Sequence, residues 1–287
     1  MDTANDQPAQ NTDSRSPAIS DRGSTRVDGP PRLHFEAAIF DMDGVVTNTT
    51  AAHSKAWKHI FDEYLKARAA SHEEAFVEFT HARDYLGFVD GRPRFDGVEA
   101  FLKSRGIIIP RGSPEDGLGS ETVYALGSRK NVVFNQIIER EGVSVFGGTI
   151  AMIREMLARD IKVGLATSSY NSSAILKRAG AAKLFETIVD GLDLAVRGLK
   201  GKPEPDIFRA AAANLGVSSD QAIVFEDAVS GVKAGMRGGF ALTIGIAREN
   251  NARELRENGA DMVVGDLSET TLEQIDQLVQ DKRTRAG

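Results

Sequence analysis

Asp41 and Asp43 stand two residues apart in Phe40-Asp41-Met42-Asp43-Gly44-Val45-Val46-Thr47. One carboxylate of such a pair can attack a phosphoryl group while the other moves a proton. Three further segments carry compatible chemistry. Thr167-Ser168-Ser169 offers hydroxyl donors, Lys202 in Gly201-Lys202-Pro203-Glu204-Pro205 offers a cation, and Glu226-Asp227 is a second acidic pair. A phosphoryl group in transfer carries charge on its equatorial oxygens, so its site must supply cations and donors. Asp41, Asp227 and Glu226 offer the hard oxygen ligands that suit Mg²⁺. On this reading Asp41 forms an aspartyl-phosphate. Asp43 protonates the leaving oxygen and then deprotonates the next acceptor, Thr167 donates to the phosphate, and Lys202 neutralises it. Each segment alone has a plainer reading. Asp-x-Asp-Gly suits a turn, Thr-Ser-Ser and Glu-Asp suit helix caps, and Lys-Pro-Glu-Pro suits a loop entering a helix. The four together, in this order and each at a strand–helix transition, are hard to explain in that way.

For these residues to meet, each must lie at the carboxyl end of one parallel sheet. Ala37–Phe40 reads as a buried strand directly before Asp41. A helix is expected from about Thr50, with Ala56, Trp57, Ile60, Phe61, Tyr64 and Leu65 at helical spacing. Residues from about 71 to 138 are expected to be mostly helical, with loops near 91–97 and 110–119 and no buried strand. Strands are expected at 161–166, 187–189, 222–225 and 241–244, with a short edge strand at 262–264. Helices are expected at 172–179, 206–215, 229–237 and 272–279. This alternation predicts an α/β fold, a Rossmann-like parallel sheet core with an inserted α-helical cap domain after the first strand. The expected boundaries are residues 33–48 and 147–287 for the core and 49–146 for the cap. Residues 1–32 are polar, with scarcely a large apolar side chain, and are expected to form a disordered tail.

Composition narrows the partners. Hydrophobic residues make up 41% of the 287 and charged residues 26%, which is ordinary for a soluble globular chain long enough for a sizeable core. The net charge is -6 and no basic run could grip a phosphate backbone, so nucleic acid is not an expected partner. There is no cysteine, which excludes disulfides, thiolate metal sites and cysteine nucleophiles. No apolar stretch reaches membrane-spanning length, and the N-terminus lacks a signal-peptide pattern. The expectation is a cytoplasmic monomer without membrane partners.

The four segments resemble the motifs of the haloacid dehalogenase superfamily of phosphotransferases. FDMDGVVT is similar to its first motif, LATSS to its second, GKPEPDIF to its third and FEDAVSG to its fourth. The resemblance implies Asp41 as nucleophile, Asp43 as acid/base, and Thr167 and Lys202 on the transferred phosphate. It implies Mg²⁺ held by the side chains of Asp41 and Asp227 and the carbonyl of Asp43, with Glu226 nearby. The acidic residue at 43 separates the chain from the true dehalogenases. The inserted helices resemble the cap of the β-phosphoglucomutase-like subfamily. That likeness implies substrate contacts from His53, Trp57, Arg94, Lys130 and Asn131 in the cap and from Ser169 and Asn171 in the core, with Arg94 preferred to Arg92 as the clamp for a second phosphate. The long tail, the glycine-rich 110–119 loop and Thr167-Ser168 depart from the subfamily pattern. Trp57 could equally be core, and His53, Arg92, Arg94 and Lys130 could be solvated surface. The expected activity is Mg²⁺-dependent isomerisation of a hexose 1-phosphate to the 6-phosphate on a phosphorylated sugar substrate. The alternatives are a sugar-phosphate phosphatase of the same superfamily and, more remotely, a catalytically silent binding protein.

Overall fold

The computed structural model describes residues 32–286, so nearly all of the tail expected over 1–32 lies outside the described residues. The described residues from Leu33 onward belong to one compact unit. Six strands form a single sheet in the order β3-β2-β1-β4-β5-β6. They are β1 (Ala37–Phe40), β2 (Lys162–Ala166), β3 (Thr187–Val189), β4 (Ala222–Glu226), β5 (Leu242–Ile246) and β6 (Met262–Val264). All five pairings are parallel. Every residue of β1, β4 and β5 is buried, as befits strands covered on both faces.

The strand order reverses at β1, which lies between β2 and β4. Such a reversal opens a crevice at the carboxyl edge, where α/β sheets hold their ligands. Register carries the site residues to that edge together. Phe40 pairs with Leu165 on one side and with Phe225 on the other. Asp41, Thr167 and Glu226-Asp227 therefore follow at nearly the same height. The Phe40 and Phe225 rings stack with centroids 4.4 Å apart, which helps lock that register.

Helices cover both faces. One apolar cluster joins the sheet to α4 (Gly147–Ala158), α5 (Ser172–Arg178) and α10 (Leu272–Ala286). The other joins it to α7 (Asp206–Asn214) and α8 (Val229–Gly238). Between β1 and β2 run α1 (Thr50–His72), a π-helical segment (His81–Val89), α2 (Arg94–Ser104) and α3 (Val123–Glu141). These pack around their own cluster, which includes Trp57, Phe61, Phe79, Phe101 and Leu126. Phe61 and Phe101 lie 4.2 Å apart and Phe79 and Phe101 5.0 Å apart, centroid to centroid. The loop expected near 110–119 is present, and Asp116 fastens it. Asp116 accepts from the Ser113 N–H at 3.1 Å and from Thr122 Oγ1 at 2.6 Å, and Thr122 caps α3.

Several local expectations change. The loop expected over 91–97 ends at Pro93, and Arg94 already stands in the first turn of α2. Pro93 cannot donate a backbone hydrogen bond, and a helix start needs none there. The sequence pattern did not single out α4, α6 (Gly191–Arg197), α9 (Ala252–Glu257) or the π-helical segment. The helix α6 has seven residues, too few to show a period, and a capping box of Asp190 and Asp193 holds it. The strand expected at 241–244 runs over Leu242–Ile246, and the terminal helix runs on to Ala286. No helix among the described residues is long and apolar enough to cross a membrane.

Candidate active site

The loop after β1 is a tight turn. Gly44 donates to the Thr47 carbonyl at 2.8 Å, and Val46 to the Met42 carbonyl at 2.9 Å. Gly44 has φ +84°, and a Cβ there would lie 1.7 Å from Asp227 Oδ2. Glycine is needed both for the backbone angle and for the approach of the second acidic segment.

Asp41, Lys202, Glu226 and Asp227 are all buried at the carboxyl edge. Lys202 hydrogen-bonds Asp41 and donates to Glu226 Oε1 at 2.8 Å. Glu226 Oε2 accepts from the N–H groups of Asp227 at 2.6 Å and Ala228 at 3.1 Å, which fixes the turn after β4. One carboxylate oxygen from each of Asp41, Glu226 and Asp227 lies within 4.8 Å of the others. Three carboxylates thus face one ammonium. Burial pushes the Asp41 carboxyl well above the usual range, against the pull of Lys202 and with a further push from Glu226. Burial and then Glu226, Asp90 and Asp41 do the same to Asp227. A divalent cation would relieve this excess of negative charge, and an all-oxygen donor set suits Mg²⁺. The residues therefore fit that ion.

Asp43 takes a different course. Its side chain is no part of the acidic triad and turns to Thr49, which hydrogen-bonds it, and to His53 Nε2 at 3.4 Å. Burial would raise its pKa, but the charge and hydrogen bond of His53 and the bond from Thr49 lower it. Lys130 Nζ lies 2.7 Å from His53 Nδ1. With Lys130 as donor, Nδ1 accepts and Nε2 carries the proton that faces Asp43. Burial and the charge of Lys130 lower the His53 pKa, against the pull of Asp43. Lys130 itself is buried over the rings of Phe134 and Trp57, 4.5 Å and 5.0 Å from their centroids. Burial and the charge of Arg94 lower its pKa well below the usual ammonium value.

Asn131, on α3, joins the inserted helices to the sheet. Its Oδ1 accepts from Arg94 Nη2 at 2.8 Å and from Asn171 Nδ2 at 2.7 Å. Arg94 also lies over the Tyr170 ring, 4.8 Å from its centroid. Burial pulls its pKa down to about 10, and it has no carboxylate partner among the described residues.

One cleft gathers these groups. Asp41, Asp43, His53, Trp57, Arg94, Lys130, Thr167, Ser169, Asn171, Glu226 and Asp227 all line it, and so does Arg92. Lys202 and Asn131 stand one layer back, bonded to lining residues. Trp57 is 3% exposed, so it serves the helical core as well as the cleft wall. Sequence reasoning passed over Tyr85, Asp90 and Tyr170 and gave Ser168 no role beyond its hydroxyl; all four line the cleft. Ser168 and Tyr170 lie among predicted residues at the end of β2, and that position could have marked them. Tyr85 and Asp90 depend on the π-helical turn, which has no signature in the sequence.

The fold and this constellation define a phosphotransferase-type α/β enzyme. The sequence profile of the haloacid dehalogenase-like hydrolase family matches residues 35–239. The chain belongs to that family and is an enzyme of its kind. It is 45% identical over 248 residues to the beta-phosphoglucomutase of Mycobacterium tuberculosis, covering 85% of this chain and 94% of that one. It is 27% identical to the phosphorylated carbohydrates phosphatase of Thermotoga maritima, covering 79% and 92%. Among solved structures, the beta-phosphoglucomutase of Clostridium difficile superposes with a TM-score of 0.66 at 22% identity, over 87% of this chain and 99% of that one. At that identity the superposition speaks for the fold.

Proposed function

We propose that this enzyme transfers a phosphoryl group on a sugar phosphate through phospho-Asp41, and that its main reaction is β-phosphoglucomutase-like isomerisation of a hexose 1-phosphate to the 6-phosphate. Arg94 carries the choice of a mutase. A partly buried guanidinium without a carboxylate partner, at the Asn131–Asn171 end of the cleft, is suited to a second phosphate. The 45% identity to a beta-phosphoglucomutase supports the same reading. Hydrolysis alone needs no second phosphate clamp.

In this mechanism Lys202 fixes the Asp41 carboxylate at the phosphorus. An Asp41 oxygen attacks one phosphorus of a hexose 1,6-bisphosphate and forms the new P–O bond as the bond to the leaving sugar oxygen breaks. Asp43 enters this half protonated and gives that proton to the leaving oxygen, and His53 and Thr49 hold Asp43 in line. In the second half, Asp43 takes the proton of the free hydroxyl of an incoming hexose 1-phosphate, and that oxygen accepts the phosphoryl group from Asp41, which regenerates the bisphosphate and the protonated Asp43. Thr167 donates to the phosphate, and Ser169 and Asn171, with Arg94, hold the phosphate that stays. Lys130 and Trp57 orient the sugar between them, and Asn131 holds Arg94 and Asn171 in place behind the cleft wall. Asp41 and Asp227 with the Asp43 carbonyl would hold Mg²⁺, which supplies charge neutralisation at the phosphoryl oxygens. We assign residues 49–146 as a cap domain that closes over residues 33–48 and 147–287 and excludes water from phospho-Asp41.

The test is a ³¹P NMR time course with Mg²⁺, β-glucose 1-phosphate and a trace of glucose 1,6-bisphosphate. Glucose 6-phosphate is expected to appear without inorganic phosphate. Inorganic phosphate accumulating instead would make the enzyme a phosphatase. Asp41→Asn is expected to remain folded by circular dichroism and to show no turnover. Turnover in that variant would remove the aspartyl-phosphate mechanism, and unchanged biological activity would favour a silent binding role.

A further inference from the structure

The π-helical segment brings to the cleft a carboxylate that the mechanism above does not use. Asp90 and Tyr85 both line the cleft. The Asp90 N–H donates to the Tyr85 carbonyl at 2.9 Å, the last i→i+5 bond of the segment. Turns of this width are rare and are frequently found at functional sites.

The next residues are anchored to the sheet side. Ser230 Oγ donates to the Asp90 carbonyl at 3.1 Å, and Ser168 Oγ donates to the Gly91 carbonyl at 2.9 Å. Gly91 has φ +68°, and a Cβ there would lie 2.3 Å from Ser230 Oγ and 2.9 Å from Ala228 Cβ. The backbone that carries Asp90 is thus held from two strand ends and by Tyr85, which is 4% exposed.

The Asp90 side chain makes no ion pair among the described residues. Among the described residues its carboxylate forms no side-chain hydrogen bond, and the nearby Tyr85 hydroxyl only moderates its pKa. The charges that act on it are those of Glu226, Glu249 and Asp43, and burial with these carboxylates pushes it up to about 7. Such a group would repel a phosphate. A sugar hydroxyl, which can donate to it and accept from it, suits it.

We infer that Asp90, oriented by Tyr85, binds one hydroxyl of the sugar ring in the cleft and so selects which sugar phosphate the enzyme accepts. Asp90 is then a substrate-binding residue and Tyr85 a positioning residue. The inference rests on the sugar-phosphate reading above.

Steady-state kinetics test it, with β-glucose 1-phosphate, its monodeoxy analogues and an aryl phosphate as substrates. In Asp90→Ala, kcat/KM for the sugar phosphate should fall about 10- to 100-fold further than for the aryl phosphate, mostly through KM. The wild type should lose a similar factor on one deoxy analogue, and Asp90→Ala should lose little more on that analogue. Equal losses on sugar and aryl phosphates, or losses that simply multiply on every analogue, would overturn the assignment. If Asp90→Ala does not fold, Asp90→Asn carries the same comparison, because its amide still reaches a hydroxyl but changes which partner donates. A wild type that turns over the aryl phosphate and no sugar phosphate would overturn the sugar-phosphate reading itself. A sugar-active wild type whose Asp90 variants treat both substrates alike would overturn this inference alone.

Discussion

Lys202 shows how much can rest on one side chain. It is buried, its ammonium bonds both Asp41 and Glu226, and the same nitrogen lies 4.8 Å from the centroid of the Phe208 ring. A buried ion group of this kind adds little net stability over an apolar substitute, but removing one partner leaves the others uncompensated. Lys202→Met should therefore cost about 3–5 kcal/mol in urea unfolding without added metal, in addition to its loss of turnover. A loss under about 1 kcal/mol would show that water reaches the triad and screens it. The sequence named Lys202 from its place in Gly-Lys-Pro-Glu-Pro. The contact with Asp41 spans 161 positions of chain, and only folding brings it about.

Secondary elements place these side chains, and the π-helical segment is the least expected of them. Asp84 holds it in place from its first turn. The carboxylate is 1% exposed. It accepts from the Thr80 N–H at 2.7 Å, from Arg83 Nη2 at 2.9 Å and from Arg105 Nη2 at 3.0 Å. Burial would raise its pKa, but the bonds from Arg83 and Thr80 and the charge of Arg105 hold it at about 2. Its folded-state value is thus depressed from an ordinary 3.8. Its contribution is complete above that ordinary value and is lost as pH falls through about 2. Acid titration of stability should show about 1–2 kcal/mol disappearing across that window, and Asp84→Asn should flatten it. An unchanged acid slope in the variant would remove Asp84 from this role. By contrast, β1 and the apolar part of β4 were plain in the sequence, because fully buried parallel strands read as unbroken apolar runs. Short helices such as α6 and α9 were not, since one or two turns show no period.

At the scale of the molecule, the inserted helices meet the sheet side along a seam of polar contacts. Besides the Asp90 and Gly91 anchors, His81 reaches Glu249 across the seam at 3.1 Å while Ser54 of α1 holds its other ring nitrogen at 2.8 Å. Acidic side chains from two strand ends lie below this seam, and a cation bound among them would stabilise the folded chain by mass action. Saturating Mg²⁺ at about 100 times its Kd should add about 2.7 kcal/mol, seen as a rise of several degrees in Tm over a sample with EDTA. Asp227→Asn should abolish most of that rise. A rise that persists in the variant would place the ion elsewhere.

The sequence by itself determined the strand order of events along the chain. Hydrophobic runs end in Asp41, Thr167 and Glu226, because buried strands need continuous apolar side chains and their ends are free to carry polar ones. That local logic made the acidic, hydroxyl and lysine residues at the carboxyl edge legible, and with them the place of the helices between β1 and β2. The tertiary structure alone decided what lies across the cleft. The Arg94–Asn131–Asn171 bridge, the turn of Asp43 toward His53 and away from the acidic triad, and the place of Tyr85 and Asp90 all join residues far apart in sequence. Such contacts follow from how helices pack and turn on the sheet, and no periodicity or local spacing encodes them.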